Sequence, residues 1–347
     1  MGFTGRVLDE VRDLIDADPV ILATTRARLG YVRKASEAFP GSLRSYSSGS
    51  IAQGTVIDPV LDADGGIVLD RRSYPSLGPD GGGAGPRAAV EEVRQFLEPM
   101  VVAEFPGARL SIGRRSILVT FQEGVQGEDG RACQFPSVDL IVALSRRDAP
   151  GLWIPECPRD VWDASDPEGH VALLREGLVS LQRTRRQVIR LSKAWARRYP
   201  EPPLCSFNIT ALALAAVDPG TTLAVALLAT LQFGAASLAT GPTADPAGIA
   251  KEPIGCPDPG RAARMMSMAA GHLASALQRD DNEAAVRDSL AAIFGDLVAP
   301  APSSKAALAS VLRGSGVMAA QLGIAAPVGT VVRPVRSWGS ARVVPHQ

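Results

Sequence analysis

Histidine, lysine and paired cysteine are what this chain has least of, and each shortage excludes a class of chemistry. Three histidines among 347 residues, His170, His272 and His346, are too few and too scattered for an imidazole-built metal cluster. Any metal is therefore expected to rest on carboxylate oxygens. The four cysteines, Cys133, Cys157, Cys205 and Cys256, lie far apart with no CxxC pair. That spacing offers neither a zinc site nor a disulfide framework, and reduced thiols in a cytoplasmic protein are the expectation. Net charge is absent as well, with 36 basic residues balanced by 36 acidic ones. A uniformly basic nucleic-acid binder is thereby disfavoured, although local basic patches stay open. Lysine occurs only at Lys34, Lys193, Lys251 and Lys305, so the other basic residues are all arginine.

Long apolar runs are scarce too. The opening MGFTGRVLDEVRD is charged at once and lacks the apolar stretch of a signal peptide. Residues 219–244 carry no charge, but their apolar centre is short and rich in Ala, Gly and Thr. A buried bundle helix is expected there rather than a membrane span, and no membrane association is expected for the chain.

What is present is ordinary globular material, 46% hydrophobic and 21% charged, long enough for a large core. Residues 5–38 read as two helices ending before Phe39-Pro40. SLRSYSSGS reads as a short strand entering a Gly-Ser turn, and DADGGIVLD (62–70) as a strand with an acidic start. Residues 73–86 form a Gly/Pro-rich loop, expected to be exposed and mobile. A helix over about 87–104 precedes strands at 115–122 and 137–144, with LWIPE (152–156) as a short edge strand. From Glu168 onward the pattern is helical, and Val188, Leu191 and Trp195 share one face of a helix whose other faces carry Arg and Lys. An α+β lobe followed by a helical lobe is the expected architecture.

The chemistry concentrates in GSIAQGT (Gly49–Thr55), the DAD of Asp62–Asp64, and Asp139 at the head of a strand. A triphosphate needs backbone N–H groups and small hydroxyl side chains that allow close approach. Gly49, Ser50, Gly54 and Thr55, opening a short helix after a strand, supply that. Phosphoryl transfer also needs Mg²⁺ held by oxygen ligands. Asp62 and Asp64 stand two apart, so in a strand both point to one face. If Asp139 lies on a neighbouring strand, its carboxylate completes the cluster and can deprotonate an attacking hydroxyl. Each piece alone is common by chance; the three in this order are far more specific. Asp58, in the same loop and followed by Pro59, is read as structural.

This GSxxxGT, DxD and third-Asp pattern resembles the nucleotidyltransferase signature of the polymerase-β superfamily. Within it the similarity is to the bacterial CD-NTases, relatives of 2′-5′ oligoadenylate synthetase and cyclic GMP-AMP synthase. VWDASDPEGH, VIRLSKAWARRY, SFNITALAL and AAIFGD (291–296) resemble further stretches of that family, covering about residues 1–300. The resemblance implies an α+β fold: a polymerase-β-like mixed sheet with flanking helices, plus a C-terminal helical lobe. The implied division is a catalytic lobe over 1–165, a helical lobe completing the nucleotide cleft over 166–327, and a flexible tail over 328–347.

It further implies that Ser50 holds donor phosphate and that Asp62, Asp64 and Asp139 ligate two Mg²⁺ ions. Lys193 and Ser206 would contact the triphosphate, and Phe207 would stack on the base. Lysine is a compact cation suited to polyphosphate, and it persists at 193 in a chain that otherwise prefers arginine. Trp153, Trp162 and Trp195 are assigned to packing, His170 to a structural hydrogen bond, and Arg183, Arg185 and Arg186 to a solvated face. Gly65 and Gly66 depart from the family pattern by replacing more strand-forming residues, and no zinc-binding insert is visible.

The implied function is synthesis of a cyclic or linear oligonucleotide second messenger from NTPs, ATP among them, in antiviral defence. A separate effector would bind the product, and an activating or tail-conjugating protein is a further implied partner. Nucleotidyl transfer to an RNA, protein or small-molecule hydroxyl, and a non-catalytic nucleotide- or protein-binding relative, are the alternatives.

Overall fold

The computed structural model describes residues 2–82, 85–147 and 149–301. The tail expected over 328–347, and the end of the helical lobe beyond residue 301, lie outside the described residues. Two helices, α1 (Phe3–Leu14) and α2 (Pro19–Glu37), lead into β1 (Ser42–Ser48), the short α3 (Gly49–Gln53) and β2 (Asp62–Leu69). Helix α4 (Pro86–Glu104) follows, then β3 (Arg109–Ile112), β4 (Ile117–Thr120), β5 (Ser137–Ser145), β6 (Leu152–Glu156) and β7 (Val161–Ser165). The remainder is helical: α5 (Pro167–Leu173), α6 (Val179–Arg197), α7 (Ser206–Ala216), α8 (Leu223–Thr240), α9 (Pro259–Gln278) and α10 (Glu283–Phe294).

Local chemistry starts these helices where the sequence says it should. Asp18 accepts from the N–H groups of Val20 and Ile21 (2.9 and 3.1 Å), with Pro19 as the first helical residue of α2. The Asp-Pro pairs at 166–167 and 258–259 act alike, the aspartate accepting from Gly169 N–H (2.8 Å) and Arg261 N–H (2.7 Å). Each satisfies a donor that the helix leaves unpaired, and proline sacrifices no hydrogen bond in the first turn.

The seven strands form one mixed sheet. β2 is antiparallel to β1 and parallel to β5, while β4 runs antiparallel to β5 and β3 antiparallel to β4. β6 pairs with the end of β5 and with β7, both antiparallel. LWIPE is therefore not an edge strand: VWDAS covers it, and VWDAS itself carries the edge. The strand expected over 115–122 shortens to Ile117–Thr120 because its partner β3 reaches only from Arg109 to Ile112.

Gly65 and Gly66 sit mid-strand without breaking β2. A Cβ on Gly66 would stand 2.5 Å from the Tyr46 ring, so the small residue admits the buried tyrosine of β1. In the loop after β2, Leu77 and Gly78 are buried while most of its other described residues are at least partly exposed.

Two large apolar clusters result. One joins the sheet to α2 and α4 through Val32, Ile67, Leu69, Val93, Leu97 and Leu140. The other joins α6 to α10 around Trp195, Leu231, Leu273 and Leu290, with Val188 and Leu191 included as expected. Helix α1 belongs to this second cluster: Val7, Leu8, Val11 and Ile15 all pack into it, and Arg287 of α10 pairs with Glu10 (2.8 Å). A boundary drawn at 165 thus places α1 with the wrong core. The helix has a narrow apolar stripe at helical spacing, and chain order says nothing about which lobe covers it.

Helix α8 is long and apolar enough to cross a membrane by length and composition, with a mean hydropathy of 1.7 over residues 223–240. Its Ala226, Leu227, Leu231 and Leu238 are nevertheless buried in the helical cluster, as the bundle-helix reading expects.

Candidate active site

Parallel pairing of β2 with β5 sets Asp64 directly beside Asp139. Strand alternation turns Asp62 to the same face as Asp64, while Ala63 between them is fully buried in the opposite layer. The three acids expected to act together are therefore neighbours across two strands. The β1–β2 register pairs Ser48 with Asp64, which carries the chain over the acidic face. Gly49 then turns at φ +65°, and a Cβ there would land on the Asp64 carboxylate. Only glycine fits that position, both for its backbone and for the acid against it.

Burial without enough counter-charge marks the electrostatics. The Asp64 carboxyl is pushed up to about 8, first by burial and then by repulsion from Asp62 and Asp139. Burial also raises Asp62, against the pull of Lys193 and Arg197. Asp139 is raised by burial, partly offset by the Ser116 hydroxyl, which donates to its Oδ1. The facing cations are depressed. Lys193 falls to about 8, through burial and then through Arg197. Arg197 is lowered by burial. Lys193 Nζ donates to the Thr55 carbonyl (3.1 Å), and the Arg197 guanidinium to the carbonyls of Pro59 (3.2 Å) and Ile57 (3.4 Å). Helix α6 is thus tied by two cations, one turn apart, to the loop that leads into β2.

These groups line a cleft of about 420 Å³ between the sheet and the helical lobe, ample for a nucleotide-sized ligand. The sheet side presents Gly49, Ser50, Asp62, Asp64 and Arg115. The helical side presents Lys193 and Arg197, the start of α7 with Ser206 and Phe207, and His170 of α5. Ser206 is exposed as the first residue of α7, where unpaired N–H groups favour an anion. The Phe207 ring packs at 4.6 Å and 53° to the His170 ring. His170 in turn meets Asp245 (2.6 Å), whose oxygens also accept from the N–H groups of Ala247, Ile249 and Ala250. The hydrogen bond expected of His170 is present, and it braces the aromatic wall.

Of the expected site residues, Gly49, Ser50, Asp62, Asp64, Lys193, Ser206 and Phe207 line the cleft. Asp139, beside Asp64 on β5, is not among the lining residues as placed, its carboxylate accepting from the Ser116 hydroxyl at the edge of the acidic face. Gly54 and Thr55 are not cleft residues either. Gly54 closes α3 in the left-handed conformation, and Thr55 is fully buried against Lys193. They position the cradle rather than touch its contents. Asp58 accepts from Gln134 Nε2 (2.9 Å) outside the cleft, in keeping with a structural reading. Arg186 is not simply a solvated residue, since it donates to Gln53 O (3.1 Å) and holds α3 against α6.

Arg197, Arg115 and Ser116 were not anticipated. Arg197 follows Lys193 by four residues on one helix, a spacing that puts both on the same face. Ser116 and Arg115 reach the site through β4–β5 pairing and carry no local signal. Among the described residues, no three His, Cys, Asp or Glu side chains converge closely enough to hold an ion as placed. The donor set of Asp62, Asp64 and Asp139 is nonetheless all hard oxygen, as Mg²⁺ accepts, with further positions left to water and phosphate.

No protein-family model and no curated protein matches the sequence. Solved structures do match the fold. The Escherichia coli MS115-1 CdnC, solved with HORMA-deltaN, superposes with a TM-score of 0.59 at 15% identity, over 85% of this chain and 98% of that one. The Bradyrhizobium diazoefficiens CD-NTase CdnG, solved with GTP, gives 0.59 at 16% identity over 84% and 95%. The Vibrio cholerae DncV cyclic AMP-GMP synthase, solved with the linear intermediate 5′ pppA(3′,5′)pG, gives 0.55 at 14% identity over 86% and 87%. The chain has the polymerase-β-like fold of the CD-NTases.

Proposed function

We propose that this chain is a metal-dependent nucleotidyltransferase that joins NTPs into a cyclic or linear oligonucleotide second messenger. The observation that carries the reading is the register of β2 and β5, which brings Asp64 beside Asp139 with Asp62 on the same face, opposite Lys193 and Arg197. Acids and cations facing each other across a cleft suit a triphosphate held by its charge and attacked at its α-phosphorus. The cleft is roofed by Phe207, a flat apolar face on which a base can stack.

In the proposed reaction, Ser50, Lys193 and the N-terminal turn of α7 hold the donor triphosphate. A ribose hydroxyl oxygen of the acceptor nucleotide bonds to the donor α-phosphorus. The bond from that phosphorus to the oxygen bridging toward the β-phosphate breaks, and pyrophosphate leaves. Asp139, held by Ser116, accepts the hydroxyl proton. Asp62, Asp64 and Asp139 would hold two Mg²⁺ ions, which supply charge neutralisation at the attacking and leaving oxygens. Lys193 neutralises the leaving pyrophosphate. A repeat of the step on the product's other end closes a ring.

Similarity to the cyclic AMP-GMP synthase DncV supports a cyclic product; a separate effector that binds it and a role in antiviral defence are what the resemblance of the sequence motifs implies. CdnC is solved in complex with HORMA-deltaN, which supports a protein partner here too. The test is pyrophosphate release from each NTP, singly and in pairs, with Mg²⁺. Release that disappears in Asp62→Ala/Asp64→Ala supports the proposal. Release that is unchanged in that variant, or no NTP binding at all, rejects it.

A further inference from the structure

Helix α6 carries cations in a stripe. Arg186, Arg190, Lys193 and Arg197 stand four, three and four residues apart, a spacing that keeps all of them on one helix face. Three of them donate to carbonyls along the segment that joins the phosphate cradle to β2. Arg186 Nε reaches Gln53 (3.1 Å), Lys193 Nζ reaches Thr55 (3.1 Å) and Arg197 reaches Pro59 (3.2 Å). Arg190 pairs instead with Asp16. Lys193 and Arg197 also line the nucleotide cleft, whereas Arg186 does not. Its guanidinium bonds protein oxygens: the Gln53 carbonyl at the end of α3 and, at 3.4 Å, the Leu174 carbonyl that closes α5.

The five-residue α3 needs such a tie. None of its residues is buried, and its apolar anchorage is the half-buried Ile51. A helix this short closes few hydrogen bonds of its own and leaves its last carbonyls unpaired. The Arg186 stem lies over Gly54 as well, close enough that a Cβ there would meet its Cδ at 3.4 Å. Yet α3 presents Gly49, Ser50 and Gln53 to the cleft, so its seat on β2 decides where a phosphate on Ser50 lies relative to Asp62 and Asp64. The base side has other supports. Helix α5 is held to β1 by the bidentate pair of Glu168 with Arg44 (2.7 and 2.6 Å), and His170 behind Phe207 is held by Asp245. Loss of Arg186 therefore loosens the phosphate end of the cleft and spares the base wall.

We propose that Arg186 is a positioning residue for the donor triphosphate: without touching the nucleotide, it holds the Ser50 cradle in place over the acids. This role rests on the reading of the cleft as a nucleotide site.

The test compares two ligands on the full chain with Mg²⁺: α,β-methylene ATP, which cannot release pyrophosphate, and adenosine, which has no phosphate. The wild type should hold the triphosphate far more tightly. Arg186→Gln should weaken the triphosphate about tenfold, the size of one lost charge-assisted hydrogen bond, and leave adenosine unchanged. KM for NTP should rise by a similar factor, with a smaller fall in kcat. Arg186→Lys keeps the charge and one donor group, so it should lose triphosphate affinity severalfold with the same sparing of adenosine. Arg183→Gln, at an exposed position of the same helix, should match the wild type. Unchanged triphosphate affinity in both Arg186 variants, or a parallel loss of adenosine, overturns the positioning role. An equal loss in Arg183→Gln would make the effect one of net charge and overturns it too. A wild type that holds the triphosphate no better than adenosine overturns the nucleotide reading of the cleft, and this role with it.

Discussion

Gly49→Ala and Gly54→Ala form a matched pair that separates backbone strain from damage to the acidic cluster. Both glycines lie in the left-handed region, at φ +65° and +69°. A Cβ there costs roughly 1–2 kcal/mol in either place. Their surroundings differ. At Gly54 the new methyl would meet only the Arg186 side chain at 3.4 Å, an ordinary contact. At Gly49 it would overlap the Asp64 carboxylate and stand 2.7 Å from the Asp64 Cβ. Rotating the carboxylate cannot relieve the second contact, because that Cβ is fixed to the strand. β1 and β2 must separate at the level of Ser48 and Asp64. A displacement of about 1 Å at reacting groups is worth about 10²-fold in rate. Urea unfolding should therefore show Gly54→Ala destabilised by about 1–2 kcal/mol and Gly49→Ala by more. Pyrophosphate release should fall by about 10²-fold in Gly49→Ala and stay near wild type in Gly54→Ala. Equal turnover in the two variants would refute the placement of Gly49 against Asp64.

Other consequences are as direct. Asp64 takes up protons on folding between its ordinary 3.8 and about 8, so in chelator its contribution to stability falls as pH rises through that window. Asp64→Asn should accordingly raise the metal-free melting temperature at pH 8 and abolish pyrophosphate release; a lowered melting temperature would contradict the repulsion described. Lys193 gives up its proton at about 8, so KM for NTP should climb above that pH, and Lys193→Arg should flatten the climb while lowering kcat. An unchanged KM profile in Lys193→Arg would remove the lysine from phosphate binding. Trp195, 1% exposed at the centre of the helical cluster, should cost about 3–5 kcal/mol on substitution by Ala in urea unfolding, with the sheet cluster intact by proteolysis. Asp245→Asn weakens the brace behind His170 and Phe207, and should raise KM for the donor nucleotide more than it lowers kcat.

How much of this was legible in the sequence depended on distance along the chain. GSIAQGT, Asp62 and Asp64 lie within a few residues of one another, and their relation follows from strand alternation alone. Asp139 needed the assumption that its strand neighbours β2, which parallel pairing satisfies. Lys193 stood out through composition, but Arg197, one turn later, was hidden among many arginines. Ser116 and Arg115 depend on β4–β5 pairing across a connection of some length, for which no local pattern exists. The same holds for α1, whose apolar stripe is plain while its partners, α6 and α10, lie at the far end of the chain. β3 and β7 were missed because four- and five-residue strands offer too few positions for alternation to register. Gly65 and Gly66 looked like a weakness in β2, and only the Tyr46 ring explains them.

The central claim is that Asp62, Asp64 and Asp139 act together on a nucleotide α-phosphate. Its most direct test is mass analysis of phosphatase-treated products from all four labelled NTPs with Mg²⁺, comparing wild type with Asp139→Asn. A phosphatase-resistant cyclic or linked nucleotide is expected from the wild type and none from the variant. The same product from both would show that the chemistry does not run through this cluster.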